Sequence, residues 1–148
     1  MELAGEVRVA EDGNVPRVLI VDDHQNYRES LAIGFSLYGW EADTAATAVD
    51  ALGQVEQHSY DWIISDIRMP GMNGVDLVRG LRRRFPHLGL VLLTSYEPAP
   101  ERRLAAVQLR AGFFIKPVTA ETLIAYCVRR NTMMQHDVPS SHQDTTES

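Results

Sequence analysis

The sequence predicts an α/β domain with a doubly wound, five-stranded parallel sheet, and two features carry that reading. Short apolar runs recur along the chain, most of them continuous rather than alternating, as strands buried on both faces require. Stretches of helical period separate them, and strands alternating with helices are the pattern of βα units. With 148 residues, 45% of them hydrophobic and 23% charged, the chain can bury one full core and little else.

Residues 1–16 carry Glu2, Glu6, Glu11 and Asp12 and end at Pro16; they read as a disordered N-terminal arm. The first strand is the run Val18–Val21. Tyr27, Leu31, Gly34, Phe35 and Tyr38 follow at helical spacing, then a weaker run at Trp40–Ala45. Ala48, Ala51, Leu52 and Val55 mark a second helix before the run Trp62–Ile64. Leu77, Val78, Leu81 and Phe85 mark a third, before Leu90–Leu93. The fourth helix has the weakest signal. Pro98 and Pro100 delay it to about Glu101–Leu109, Pro100 being suited to a first helical turn. After Phe113–Ile115, a fifth helix shows Ala120, Leu123, Ile124, Cys127 and Val128 at i, i+3, i+4, i+7 and i+8, with Thr119 placed to cap it. From Met133 to Ser148 the chain is polar without an apolar period, which predicts a disordered tail and a compact domain spanning 17–132.

A net charge of −6 argues against direct nucleic-acid binding. Cys127 is alone, which rules out an internal disulfide and points to a reducing compartment. No apolar stretch approaches the roughly 18 residues of a membrane span. The acidic start is unlike a signal peptide. A cytoplasmic protein without membrane contact is the expectation.

Chemistry gathers at the strand ends, beyond which ligands bind on such sheets. The first strand ends in Asp22-Asp23, the third in Asp66, the fourth in Thr94 and the fifth in Lys116. A single Asp there is commonly a cap or turn former; four polar strand ends in this combination are a stronger signal. Lys116 is the only lysine among fourteen basic residues, which suggests a task needing a compact ammonium on a flexible stem. If the first and third strands are neighbours, Asp22, Asp23 and Asp66 converge within roughly 5 Å. Such like charges raise one another's pKa values, a conflict that a hard cation such as Mg²⁺ removes. Asp66 can then act as a nucleophile on phosphorus, giving an acyl phosphate, with the Thr94 hydroxyl donating to its oxygens. Lys116, two strands from Asp66 or roughly 10 Å by backbone spacing, reaches inward only by a long side chain. Pro117 fixes the turn that holds it, a cis peptide bond being open to proline.

The segments Val18–His24, Ser65–Gly74, Leu92–Ser95 and Phe114–Pro117 together make the chain similar to a receiver domain of two-component response regulators over about 17–131. The resemblance implies strand order 2-1-3-4-5 in a flavodoxin-like three-layer sandwich. It also implies that Asp66 accepts phosphoryl from a histidine kinase or histidine phosphotransfer protein. Asp22, Asp23 and Asp66 would hold Mg²⁺ together with the backbone carbonyl of Arg68. Thr94 and Phe113, the aromatic three residues before the lysine, would be the switch residues; a plain core phenylalanine is the other reading of Phe113. The face formed by the fourth helix, fifth strand and fifth helix would bind a downstream protein or a second copy of the chain.

The chain departs from the family pattern at Leu109-Arg110, where members usually carry Gly-Ala, and at Pro98 and Pro100, both on the output face. Arg68 and Tyr96 stand where relatives tune phosphoryl lifetime. Other features read as background. Arg79, Arg82, Arg83 and Arg84 form an expected solvated helix face. His24, His58, His87, His136 and His142 have no ligand spacing, and His24 reads as the start of the first helix. Gly71 and Gly74 permit the turn after Asp66. Met133-Met134 reads as part of the tail.

The function expected is a phospho-accepting switch that gains and loses its own phosphoryl group, rather than a turnover enzyme. A Mg²⁺-dependent phosphohydrolase with an Asp nucleophile is the rival; it would usually show Asp-x-Asp, where this chain reads Asp66-Ile67-Arg68. The N-terminal fragment of a longer regulator is a further alternative.

Overall fold

The computed structural model describes residues 14–95 and 99–141, with side chains described as far as 132. Strands β1 (Arg17–Val21), β2 (Glu41–Ala45), β3 (Trp62–Asp66), β4 (Gly89–Thr94) and β5 (Gly112–Ile115) alternate with helices α1 (Gln25–Leu37), α2 (Ala48–Gln57), α3 (Gly74–Arg84), α4 (Pro100–Gln108) and α5 (Ala120–Ser141). All pairings are parallel, in the order β2-β1-β3-β4-β5. This is the expected doubly wound sheet, and its order is the one the resemblance implied. Bounds agree with the sequence reading to within a residue or two except at the end, where α5 runs past 132. The acidic arm through residue 13, Tyr96, Pro98 and residues 142–148 lie outside the described residues.

The sheet divides the interior into two cores because successive side chains of a strand point to opposite faces. Leu19, Val21, Ile63, Leu90 and Leu92 face α2, α3 and α4 through Ala51, Val78, Leu81 and Ala106. Val18, Ile20, Ile64, Val91 and Leu93 face α1 and α5 through Phe35, Leu123, Ile124 and Cys127. Val128, taken from the sequence as part of the apolar stripe of α5, is exposed instead. Burial on both faces is why β1, β3 and β4 read as continuous apolar runs. β2 is an edge strand with only Ala45 fully buried, which accounts for its weak signal.

Caps set where the helices begin. Thr47 Oγ1 accepts the Asp50 amide at 3.0 Å and Asn73 Oδ1 the Asp76 amide at 2.9 Å. Thr119 Oγ1 accepts the Thr122 amide at 3.1 Å, as its spacing predicted. Each satisfies a helix-end amide that has no intrahelical partner. α4 has no side-chain cap and starts instead on Pro100, whose missing amide costs nothing at that place.

Candidate functional site

Parallel register carries the ends of β1, β3, β4 and β5 to one edge of the sheet. Val21 pairs with Ser65, Asp66 with Leu93 and Thr94 with Ile115. Asp22 therefore lies one residue past β1, beside Asp66 at the last position of β3, and Lys116 one residue past β5. The Asp22 amide donates to the Ala45 carbonyl at 3.1 Å and the Lys116 amide to the Thr94 carbonyl at 2.7 Å, so both residues are fixed by the sheet although outside it. The Lys116–Pro117 peptide bond is cis. After Asp66 the chain turns through Gly71, at φ 78°, and returns at Gly74. A Cβ at Gly74 would fall 2.2 Å from the Asp66 carbonyl oxygen, so only glycine fits.

The predicted acids meet. One ligand atom each from Asp22, Asp23, His24 and Asp66 lies within 4.8 Å of the others. Asp22, Asp66 and Thr94 are buried, while Asp23 is more open. The Lys116 ammonium reaches across, with Nζ 2.8 Å from Asp22 Oδ2 and 3.7 Å from Asp66 Oδ1. The nearer contact is an ion pair, since Oδ2 has no donor aligned as in a hydrogen bond. Burial raises the pKa of Asp66, opposed by the Lys116 charge and assisted by the charges of Asp22 and Asp23. For Lys116, burial works to lower the pKa; the contact with Asp22 and the negative charge of Asp66 outweigh it and raise the value. Asp66 also accepts a hydrogen bond from the Arg68 backbone, which places the Arg68 main chain beside its carboxylate.

These residues fit a hard divalent cation. Three carboxylates against one ammonium leave an excess of two negative charges in a small space, and oxygen donors are the kind that Mg²⁺ takes. Phe113 is half-buried against the α2–α4 side of the core, with the Arg103 guanidinium 5.6 Å from its ring centroid.

Two features of the site, and one at the opposite end of the sheet, escaped the sequence reading. His24, read as a helix start, is indeed the N-cap of α1. Its ring, however, sits against the acids, with Nδ1 3.1 Å from Asp22 Oδ1 and 3.3 Å from Asp23 Oδ1. Tyr27, read as apolar stripe, has its ring centroid 4.7 Å from Lys116 Nζ; a phenol on an apolar stripe needs a partner for its hydroxyl, and that was the available signal. Arg82, read as part of a solvated face, is no such thing. It donates to four main-chain carbonyls, those of Leu109, Pro86, Leu88 and Arg110, at 2.7–3.2 Å. Arg83 and Arg84 are exposed as expected.

Among the described residues, no helix is long and apolar enough to cross a membrane. Comparison with known proteins supplies the remaining observation. Residues 18–127 match the family model described as the response regulator receiver domain. The chain is 34% identical over 128 residues to the response regulator protein FleR of Pseudomonas aeruginosa, covering 86% of this chain and 26% of that one. It is 36% identical over 109 residues to the sensor protein EvgS of Escherichia coli, covering 72% of this chain and 9% of that one. The chain thus spans about a quarter or less of the length of these two relatives. Among solved structures, chemotaxis protein CheY4 of Vibrio cholerae is similar at TM-score 0.72 and 30% identity, covering 78% of this chain and 98% of that one. A CheY-like receiver domain protein from Methanospirillum hungatei reaches TM-score 0.77 at 24% identity, covering 84% and 99% of the two chains.

Proposed function

The chain belongs to the response regulator receiver domain family, and from that premise we propose that it is a phospho-accepting switch of a two-component relay, with Asp66 as the acceptor. The observation that carries the proposal is the meeting of the Asp22, Asp23 and Asp66 carboxylates under the Lys116 ammonium. An Asp66 carboxylate oxygen attacks the phosphorus of a phosphohistidine on a kinase or phosphotransfer protein. The P–N bond breaks, its electron pair stays on the imidazole, and an acyl phosphate forms. Burial raises the Asp66 pKa and the charge of Lys116 works against that rise, favouring the ionised carboxylate that the attack needs. Asp22, Asp23, Asp66 and the Arg68 carbonyl are the residues to hold Mg²⁺, which when bound neutralises charge on the phosphoryl oxygens. Lys116 and the Thr94 hydroxyl then have the new oxygens to bind.

A ligand shifts a two-state equilibrium only by interacting differently with the two states. Here that difference is the phosphoryl group drawing Thr94 and Lys116 toward Asp66, with Phe113 following. The altered surface of α4, β5 and α5 binds a downstream protein or a second copy of the chain. Leu104, Val107 and Ile115, exposed and apolar on those elements, support that assignment.

The test is incubation with acetyl phosphate, with and without Mg²⁺, beside Asp66→Asn. Labelling is expected only with Mg²⁺ and only with the native acid. Label persisting in the variant removes Asp66 as acceptor, and fast turnover of assorted phosphomonoesters would mark a hydrolase instead.

A further inference from the structure

Tyr27 stands in the first turn of α1, on a different element from every acid of the site, yet it touches the lysine that serves them. Its ring centroid is 4.7 Å from Lys116 Nζ. The ammonium therefore lies between a π face on one side and the Asp22 and Asp66 carboxylates on the other. Both neighbours attract a cation, and the Lys116 side chain is only 10% exposed, a setting in which a cation–π contact is strongest. The Tyr27 hydroxyl makes a second attachment. It donates to the Val118 carbonyl at 3.0 Å and accepts from the Val118 amide at 3.2 Å, two residues past the lysine. One side chain thus holds both the charged tip of Lys116 and the backbone that carries it.

A tyrosine that merely filled the core would need neither contact. Leucine would fill similar space without attracting the ammonium, and phenylalanine would attract it without tying down Val118. A free lysine stem has several rotatable bonds, and fixing it costs conformational entropy at each encounter with the acids. Contacts made before the reaction remove that cost from the chemical step. A cleft of about 660 Å³ is bordered by Tyr27, Lys116, Ser95 and Pro117, so the pair lines a surface open to solvent.

We propose that Tyr27 is the positioning residue for Lys116, holding its ammonium over the acid pocket by the ring and its backbone by the hydroxyl. The consequence for phosphoryl acceptance rests on the receiver reading above; the placement of the lysine does not.

Because Lys116 is the only lysine, protein grown with lysine carrying ¹³C at Cε gives one ε-methylene signal. Native protein and Tyr27→Phe are expected to show that signal displaced by the ring current. Tyr27→Leu is expected to lose the displacement while its amide spectrum stays folded. Tyr27→Phe should instead speed hydrogen exchange at the Val118 amide. Acetyl phosphate labelling of Asp66 should slow about tenfold in Tyr27→Leu, within the range a desolvated cation–π contact supports. A folded Tyr27→Leu protein with an unmoved lysine signal overturns the proposal, as does a moved signal with an unchanged labelling rate. Native protein that fails to label counts against the receiver reading alone, and the lysine signal then decides the role of Tyr27 by itself.

Discussion

Cys127 shows how a single residue's surroundings alter what it does. It is fully buried under the sheet on the α1–α5 side, and burial raises its thiol pKa well above the usual value. The folded protein keeps this proton at pH values where the unfolded chain, near pKa 8.5, has lost it. The folded state then binds more protons than the unfolded, so stability falls as pH rises above about 8.5, by up to about 1.4 kcal/mol per pH unit. Cys127→Ala lacks this loss. Urea unfolding at a series of pH values is expected to show the native protein ahead at pH 7 and the two curves converging between about pH 8.5 and 10. Parallel curves across that range would contradict it. Lys116 makes the complementary case. Arginine would supply the same charge, but spread over a planar fork rather than concentrated in the compact ammonium that sits 2.8 Å from Asp22 and 4.7 Å from the Tyr27 ring centroid.

The elements obey local rules except at the end of α4. Here Leu109-Arg110 replaces the glycine-containing pair usual in the family, and Arg110 takes the left-handed conformation at φ 56°. A side chain in that region costs roughly 1–2 kcal/mol. Arg82 supplies the compensation from α3. Its guanidinium gathers the carbonyls of Leu109 and Arg110, which a helix end leaves without partners, together with those of Pro86 and Leu88 in the α3–β4 connection. Five donors in a fixed fork suit this task and three on an ammonium do not. Arg82→Met should therefore destabilise the domain by about 2 kcal/mol, the scale of hydrogen bonds to a charged group discounted for partial exposure. The loss should appear in denaturant midpoints, with faster hydrogen exchange at the α4–β5 turn. An unchanged midpoint would return Arg82 to the solvated surface the sequence suggested. Since α4 belongs to the proposed output face, the clamp also fixes one end of that surface.

Across the whole molecule, the acid pocket sets function against stability. Three carboxylates are drawn together at the sheet edge with one ammonium to offset them, and burial with mutual repulsion raises the Asp66 pKa. A cation held there binds the folded chain and not the unfolded one, so it must stabilise the fold. Mg²⁺ at one hundred times its dissociation constant should raise the unfolding free energy by about 2.7 kcal/mol. Asp23→Ala, at the most open of the three acids, should abolish that gain and leave the metal-free protein little changed. Equal stabilisation of both proteins would place the ion elsewhere.

The sequence by itself determined the alternation of strand and helix, the buried central strands and the identity of the polar strand ends. These are local quantities, written in period and run length, and the four polar strand ends come together because neighbouring parallel strands end on one edge. Thr119 at its helix start and Gly74 in the turn after Asp66 were legible for the same reason, each being demanded by backbone within a few residues. Tertiary structure alone decided which long side chains meet. Tyr27 and Val118 are joined by a contact between residues 91 apart in sequence, and Arg82 reaches the α4–β5 turn across 27 and 28. No period records such pairings. A tyrosine on an apolar stripe and an arginine in a basic run look ordinary until the packing of α1 on α5, and of α3 on α4, sets a cation or a row of carbonyls before them.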